Sequence, residues 1–244
     1  MEKVFGLHAV QSLLQRSPER VKTLYVQSGR EDQRLSEVLG QAEQAGVAVI
    51  SLPRKKLDEM AAGRHQGVIA EADTTSHYSE KDLPALLNQA GRKALVLILD
   101  GVTDPHNLGA CLRSADAAGV TAVVAPKDKS VGLNATVMKV ACGAAEVIPF
   151  IAVTNLARTM KQLQDAGLWL IGLAGEADDT LYQRDLRGPV GLVMGAEGDG
   201  LRRLTRENCD YLAKLPMAGS VSSLNVSVAT GICLFEAVRQ RAID

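Results

Sequence analysis

The sequence predicts an α/β protein made of two modules, and three observations carry that prediction. Apolar strand-like runs alternate with helical periodicity over most of the 244 residues. The run ALVLILD at residues 94–100 is almost continuously apolar, as expected of a strand buried on both faces in a parallel sheet. A polar stretch without periodicity, DTTSHYSEK at 73–81, separates a small alternating unit from a larger one.

In the first module, residues 1–72, positions 9–15 have helical spacing and 23–27 alternate like a strand. Helical periodicity at 35–45, a strand at 47–52, a short helix at 56–61 and a last strand at 65–72 (HQGVIAEA) complete a sheet covered by helices. Residues 73–93 are expected to form a linker that runs into a short amphipathic helix at 83–89. The second module, 94–244, offers strands at 94–100, 122–124, 148–153, 168–172 and 190–194. Helices are expected between most of them, at 108–118, 135–141 (with Asn134 as N-cap) and 156–166. In such a βαβ rhythm, ligands bind at the carboxyl ends of the strands. On rhythm alone the sheet would be an ordinary open, Rossmann-like one. The last helix is expected over 224–239, because Ser222, Ser223 and Asn225 are good capping residues ahead of a long apolar run. Val226, Val228, Ile232, Leu234, Phe235 and Val238 make it apolar on most faces, so it must be buried by its own domain, by a partner subunit, or by both.

Composition removes several function classes. The apolar content of 46% is ample for a core, and a net charge of −1 provides no global basic field for nucleic acid, although a local patch stays open. No apolar run reaches the roughly 18 residues of a membrane span, and the start, MEKVFGLHAV, lacks the apolar core of a signal peptide. The four cysteines are widely spaced with no CxxC pair, which reads as reduced structural thiols in a cytoplasmic protein. There is no P-loop, no HExxH, no GxSxG and no cysteine pair at zinc spacing. Residues 195–200 have the order GxxGxG, so the dinucleotide fingerprint fails.

Three stretches, each just past a strand, remain for chemistry. The first, 100–119, has turn residues at Asp104-Pro-His-Asn107, with Asn107 able to cap the following helix. Arg113 then stands in an otherwise small and apolar helical run, either solvated or placed as a cation. The second, 192–200, has three glycines in six residues, letting backbone approach a ligand, with Glu197 between them. In the third, Leu215-Pro-Met217 offers an apolar, backbone-rich wall for a flat heteroaromatic ring.

In this order, Asn107-Leu-Gly-Ala-Cys-Leu-Arg113, Met194-Gly-Ala-Glu-Gly198, and Leu215-Pro-Met217 with Ser223-Leu-Asn225 resemble the three motifs of the SpoU (TrmH-type) branch of the SPOUT superfamily. These are S-adenosylmethionine-dependent RNA ribose 2′-O-methyltransferases. The resemblance covers roughly residues 94–242. The first module, with Gly6-Leu-His-Ala-Val10 and His65-Gln-Gly-Val68, is similar to the substrate-binding domain such enzymes carry. What the resemblance implies is a deep trefoil knot in the second module, a homodimer packed through it, and a guanosine of large-subunit ribosomal RNA as the acceptor. Transfer RNA is the nearest competing substrate, and a non-catalytic RNA-binding protein of the same fold is the alternative from another class. The resemblance also implies that Gly195, Leu215, Met217 and Leu224 hold the cofactor. Asn107, Glu197, Ser223 and Asn225 would arrange ribose, phosphate and loop around Arg113, the residue proposed in the family as base. A guanidinium stays charged at any accessible pH, which suits a phosphate clamp better than a literal base. No metal is expected, because the leaving group is already a cationic sulfonium.

Overall fold

The computed structural model describes residues 1–61, 63–73 and 78–242. Two compact units emerge: Met1–Ser76 with Cys142–Val147, and His77–Ala141 with Ile148–Asp244.

The first unit contains β1 (Glu2–Phe5), α1 (Leu7–Arg16), β2 (Val21–Gln27), α2 (Gln33–Gln44), β3 (Ala48–Leu52), α3 (Arg54–Met60) and β4 (Val68–Ala72). Its sheet order is β1-β4-β2-β3. β4 is antiparallel to both β1 and β2, while β3 lies parallel to β2. Successive residues of β4 alternate between two cores. Val68, Ala70 and Ala72 pack with Val10 and Leu13 of α1 and with Leu35 and Val38 of α2. Ile69 packs with Leu57 of α3. The two-residue period of a strand thus supplies both faces of the sheet. The strand expected over 65–72 begins only at Val68, because residues 65–67 form a turn with Gln66 and Gly67 at positive φ.

The second unit contains α4 (Leu83–Ala90), β5 (Leu95–Asp100), α5 (Pro105–Ala117), β6 (Ala122–Pro126), α6 (Ala135–Val140), β7 (Phe150–Val153), α7 (Leu156–Asp165), β8 (Trp169–Leu173), β9 (Val190–Gly195), α8 (Arg203–Glu207), β10 (Tyr211–Ala213) and α9 (Val226–Arg241). All pairings in its six-stranded sheet, β10-β8-β9-β5-β6-β7, are parallel. Every side chain of β5 is buried, as its continuous apolar run requires. α4 packs Leu83 and Leu87 into the core formed by Val96, Ile98, Val124 and Ile151. Of the connection expected over 73–93, the part from Leu83 onward is therefore packed, and residues 74–77 lie outside the described residues. The chain leaves β5 toward β6 and β7 on one side, then returns to β8 and β9 on the other. Such a reversal leaves a crevice at the carboxyl ends of the two central strands, here at Asp100 and Gly195, which face each other in register.

α5 begins earlier than its spacing predicts. Pro105 occupies its first turn, and the N-cap is Asp104, whose carboxylate accepts the His106 N–H at 3.0 Å. Asn107, expected as the cap, lies inside the helix instead, with its side chain buried. Proline is well suited to the first helical position, so Asp-Pro outcompetes the later Asn. α9 does use Asn225 as its cap and begins at Val226, two residues beyond the expected start.

Candidate active site

Asn225 joins the three sequence stretches. Its Oδ1 accepts the N–H groups of Ser227 at 2.9 Å and Val228 at 3.4 Å, capping α9. Its Nδ2 donates to Asn107 Oδ1 at 3.0 Å and, more closely, to Glu197 Oε1. Glu197 Oε1 also accepts the Val226 N–H at 3.4 Å. One amide therefore ties the α5 turn, the glycine loop and the start of α9 together, with every polar atom of that side chain committed in a defined direction.

The loop after β9 is held by its own backbone and by one buried acid. Ala196 and Gly200 exchange N–H···O bonds of 3.1 and 3.0 Å. A side chain at Gly195 would run into the backbone of Gly200 and Leu201, so this close return requires glycine. Asp100, fully buried at the end of β5, accepts the Arg202 backbone N–H at 2.9 Å and Arg202 Nε at 2.6 Å, and forms an ion pair with the same guanidinium. The carboxylate thus pins the far end of the loop that carries Glu197.

Gly195, Glu197, Leu215, Met217, Ser223 and Leu224 line one cleft of about 370 Å³. A smaller cavity of about 270 Å³ meets it at Glu197 and Val226 and is lined by Asp104, Asn107, Lys129 and Arg202. All four residues expected to hold a cofactor are brought to the same cleft, and Ser223 with them. Arg113 is not among the lining residues of either cavity. It lies exposed on α5, six residues beyond Asn107, or about 9 Å along the helix axis.

Sequence reasoning gave no role to Asp100 or Arg202. The signal was present, since an acid ending a continuously apolar strand is buried and must find a partner. Burial raises the thiols of the site's neighbours, Cys111 to about 11 and Cys233 to about 12, and both are free cysteines. They pack α5 and α9, with Cys111 Sγ 3.6 Å from Thr230 Oγ1. Among the described residues no group of three or more His, Cys, Asp or Glu is arranged to hold a metal ion. Nor is any helix among them long and apolar enough to cross a membrane.

Residues 94–235 match the SpoU rRNA Methylase family model, and residues 3–78 match the model for RNA 2'-O ribose methyltransferase substrate binding. The chain is 63% identical over 240 residues to the 23S rRNA (guanosine-2'-O-)-methyltransferase RlmB of Pseudomonas aeruginosa, covering 98% of this chain and 97% of that one. It is 61% identical over 242 residues to the protein of the same name from Escherichia coli K12, covering 99% of each. Among solved structures, the SpoU methyltransferase AviRb from Streptomyces viridochromogenes in complex with the cofactor AdoMet matches with a TM-score of 0.78 and 25% identity, over 99% of this chain and 91% of that chain. A TrmH/SpoU tRNA modifying enzyme from A. aeolicus matches with a TM-score of 0.57 and 30% identity, over 67% of this chain and 84% of that one.

Proposed function

We propose, given that this chain belongs to the SpoU rRNA methylase family, that it transfers a methyl group from S-adenosylmethionine to the ribose 2′-hydroxyl of a guanosine in 23S ribosomal RNA. The observation that carries the reading is similarity at about 60% identity along the whole chain to enzymes of that name, the N-terminal module included. The similarity to the tRNA modifying enzyme reaches only two thirds of the chain, which favours the ribosomal substrate.

The residues present fit the cofactor. Leu215, Met217 and Leu224 give the cleft an apolar wall for a heteroaromatic ring, while the loop at Gly195 presents backbone at close range. When bound, S-adenosylmethionine supplies an electrophilic methyl group on a sulfonium. The chain's own part is to align the acceptor hydroxyl and to ease loss of its proton. Asn107, Glu197, Ser223 and Asn225 arrange ribose, phosphate and loop, with Asn225 holding Asn107 and Glu197 in place through its Nδ2. Arg113 clamps an RNA phosphate with its planar fork and lowers the hydroxyl's pKa electrostatically, remaining charged throughout.

Residues 1–72 serve as the RNA-binding module, 94–244 as the knotted catalytic module, and the protein works in the cytoplasm as a homodimer. Support for the dimer comes from α9, where Val228, Ile232 and Phe235 are 50%, 36% and 50% exposed at spacings of four and three residues. Those spacings put them on one face of the helix. Mapping ribose methylation in ribosomal and transfer RNA from cells with and without the gene tests the substrate. One guanosine of large-subunit RNA should lose its methyl group. A lost site in transfer RNA with ribosomal RNA unchanged would reverse the assignment.

A further inference from the structure

We propose that the first unit grips the RNA backbone through a cationic cleft beside the 65–67 turn, with Arg54 and Arg64 as the phosphate-binding residues. The inference rests on the reading that the substrate is RNA. The cleft measures about 380 Å³ and is lined by Arg30, Arg54, Asp58, Arg64, His65 and Gln66 among others.

The turn is built to be rigid. Gln66 and Gly67 follow each other at φ 49° and 72°. The Gly67 N–H donates to His65 Nδ1 at 2.9 Å, so the proton of the neutral ring sits on Nε2, which donates to Asp58 Oδ1 at 2.8 Å. The Val68 N–H closes the turn on the His65 carbonyl at 3.0 Å. Gln66 Oε1 accepts the Leu7 N–H at 3.2 Å, and the Gln66 carbonyl accepts from Arg30 Nη1. A Cβ at Gly67 would run into the Arg30 guanidinium and Gln27, so the glycine is what lets Arg30 lie against the turn.

Most charges around the cleft are consumed by this framework. Asp58 is taken by His65, and Asp32 by Arg30, whose guanidinium is itself a structural clamp. Arg54 and Arg64 are exposed and have no ion-pair partner among the described residues. Residues 1–76 carry ten Lys and Arg against ten Asp and Glu, so the module has no general basic field. Two uncommitted guanidinium forks on a rigid rim therefore form a local cationic site in a neutral module. Planar forks match phosphate oxygens bidentately, and an RNA backbone offers phosphates in series.

The test uses the full chain with both arginines neutralised, Arg54→Gln with Arg64→Gln. Lys22→Gln is the control. It lies five residues before Gln27 on β2, roughly 17 Å from the cleft end of that strand, and pairs with Asp73. Methyl incorporation into a 23S ribosomal RNA fragment is followed across a salt series, with cofactor affinity measured by calorimetry. The double variant should raise KM for RNA by about tenfold or more, and reduce the dependence of log KM on log salt by roughly one to two, the loss of one or two phosphate contacts. Its cofactor affinity and kcat should stay within about twofold of wild type, and the control should match wild type throughout. A KM and salt slope equal to those of wild type would overturn the cleft. Should wild type methylate a different RNA, the substrate reading fails, while the same comparison on that RNA still decides the cleft.

Discussion

Asn225 concentrates the site's geometry in one side chain, because its carbonyl oxygen caps α9 while its amide nitrogen bridges Asn107 and Glu197. Asn225→Asp keeps a capping oxygen but replaces the donor with a carboxylate facing Glu197. Methyl transfer should fall by about 10²-fold or more, the scale for removing a positioned polar group at an active site, with little change in thermal midpoint. Asn225→Ala should lose the same activity and in addition about 1 kcal/mol of stability through the missing cap, read by urea unfolding. Equal activity in wild type and Asn225→Asp would remove the bridge from the mechanism. Arg113 permits a similar separation of roles. As a clamp it should tolerate Lys in part, while Arg113→Ala should lose roughly 10²–10³-fold in methyl transfer, with cofactor affinity little altered in either. A neutral-pH ionisation in the rate that vanishes only when Arg113 is changed would instead make it the base. At this scale the sequence was informative about identity and less so about posture. The caps at Asn134, Asn155 and Asn225 follow from local chemistry, with the one at Asn155 legible only once the helix start is placed. The bridge from Asn225 to Asn107 joins residues 118 apart and has no local signal.

The glycine loop between β9 and α8 is the element on which the cleft depends. Its two ends are fixed by the Ala196–Gly200 backbone exchange and by the buried Asp100 carboxylate on Arg202. Asp100→Asn removes the ion pair and places an amide hydrogen where an acceptor is needed. Breaking a buried pair by altering one partner costs about 3–5 kcal/mol, and the lower end applies because Arg202 is partly exposed and can rehydrate. Calorimetry should show cofactor affinity reduced by about tenfold or more, with Glu197 no longer held at the cleft. Unchanged affinity with a lowered melting temperature would assign Asp100 a purely structural role. The longer elements were legible because burial imposes period: β5, β9, α7 and α9 all follow from apolar spacing. β1, β10 and α8 were not foreseen. They are four, three and five residues long, too short to show a period, and α8 (RLTRE) is mostly polar. Their existence depends on strand pairing and packing supplied by the rest of the fold.

At the scale of the molecule, each unit has its own apolar core, and the residues lining the 370 Å³ cleft all belong to the second. The two-module division was readable from the polar stretch after residue 72. What could not be read was that α4 packs onto the second unit's sheet, or that Cys142–Val147 groups with the first unit, since both depend on tertiary contacts. The exposed stripe on α9 leads to a prediction about assembly. Phe235→Glu sets a charge on the exposed apolar face, and sedimentation at micromolar concentration should then show a monomer, with wild type expected to run as a dimer. A monomeric and fully active wild type would dispose of the dimer. The central claim, that three separated stretches fold into one methyl-transfer site, is tested most directly with purified protein, methyl-labelled S-adenosylmethionine and unmodified 23S ribosomal RNA. After digestion to nucleosides, the account predicts label in 2′-O-methylguanosine from a single site, reduced by about 10²-fold or more when Asn225→Asp replaces wild type. Label on a base, on another nucleoside, or in no nucleoside at all would contradict it.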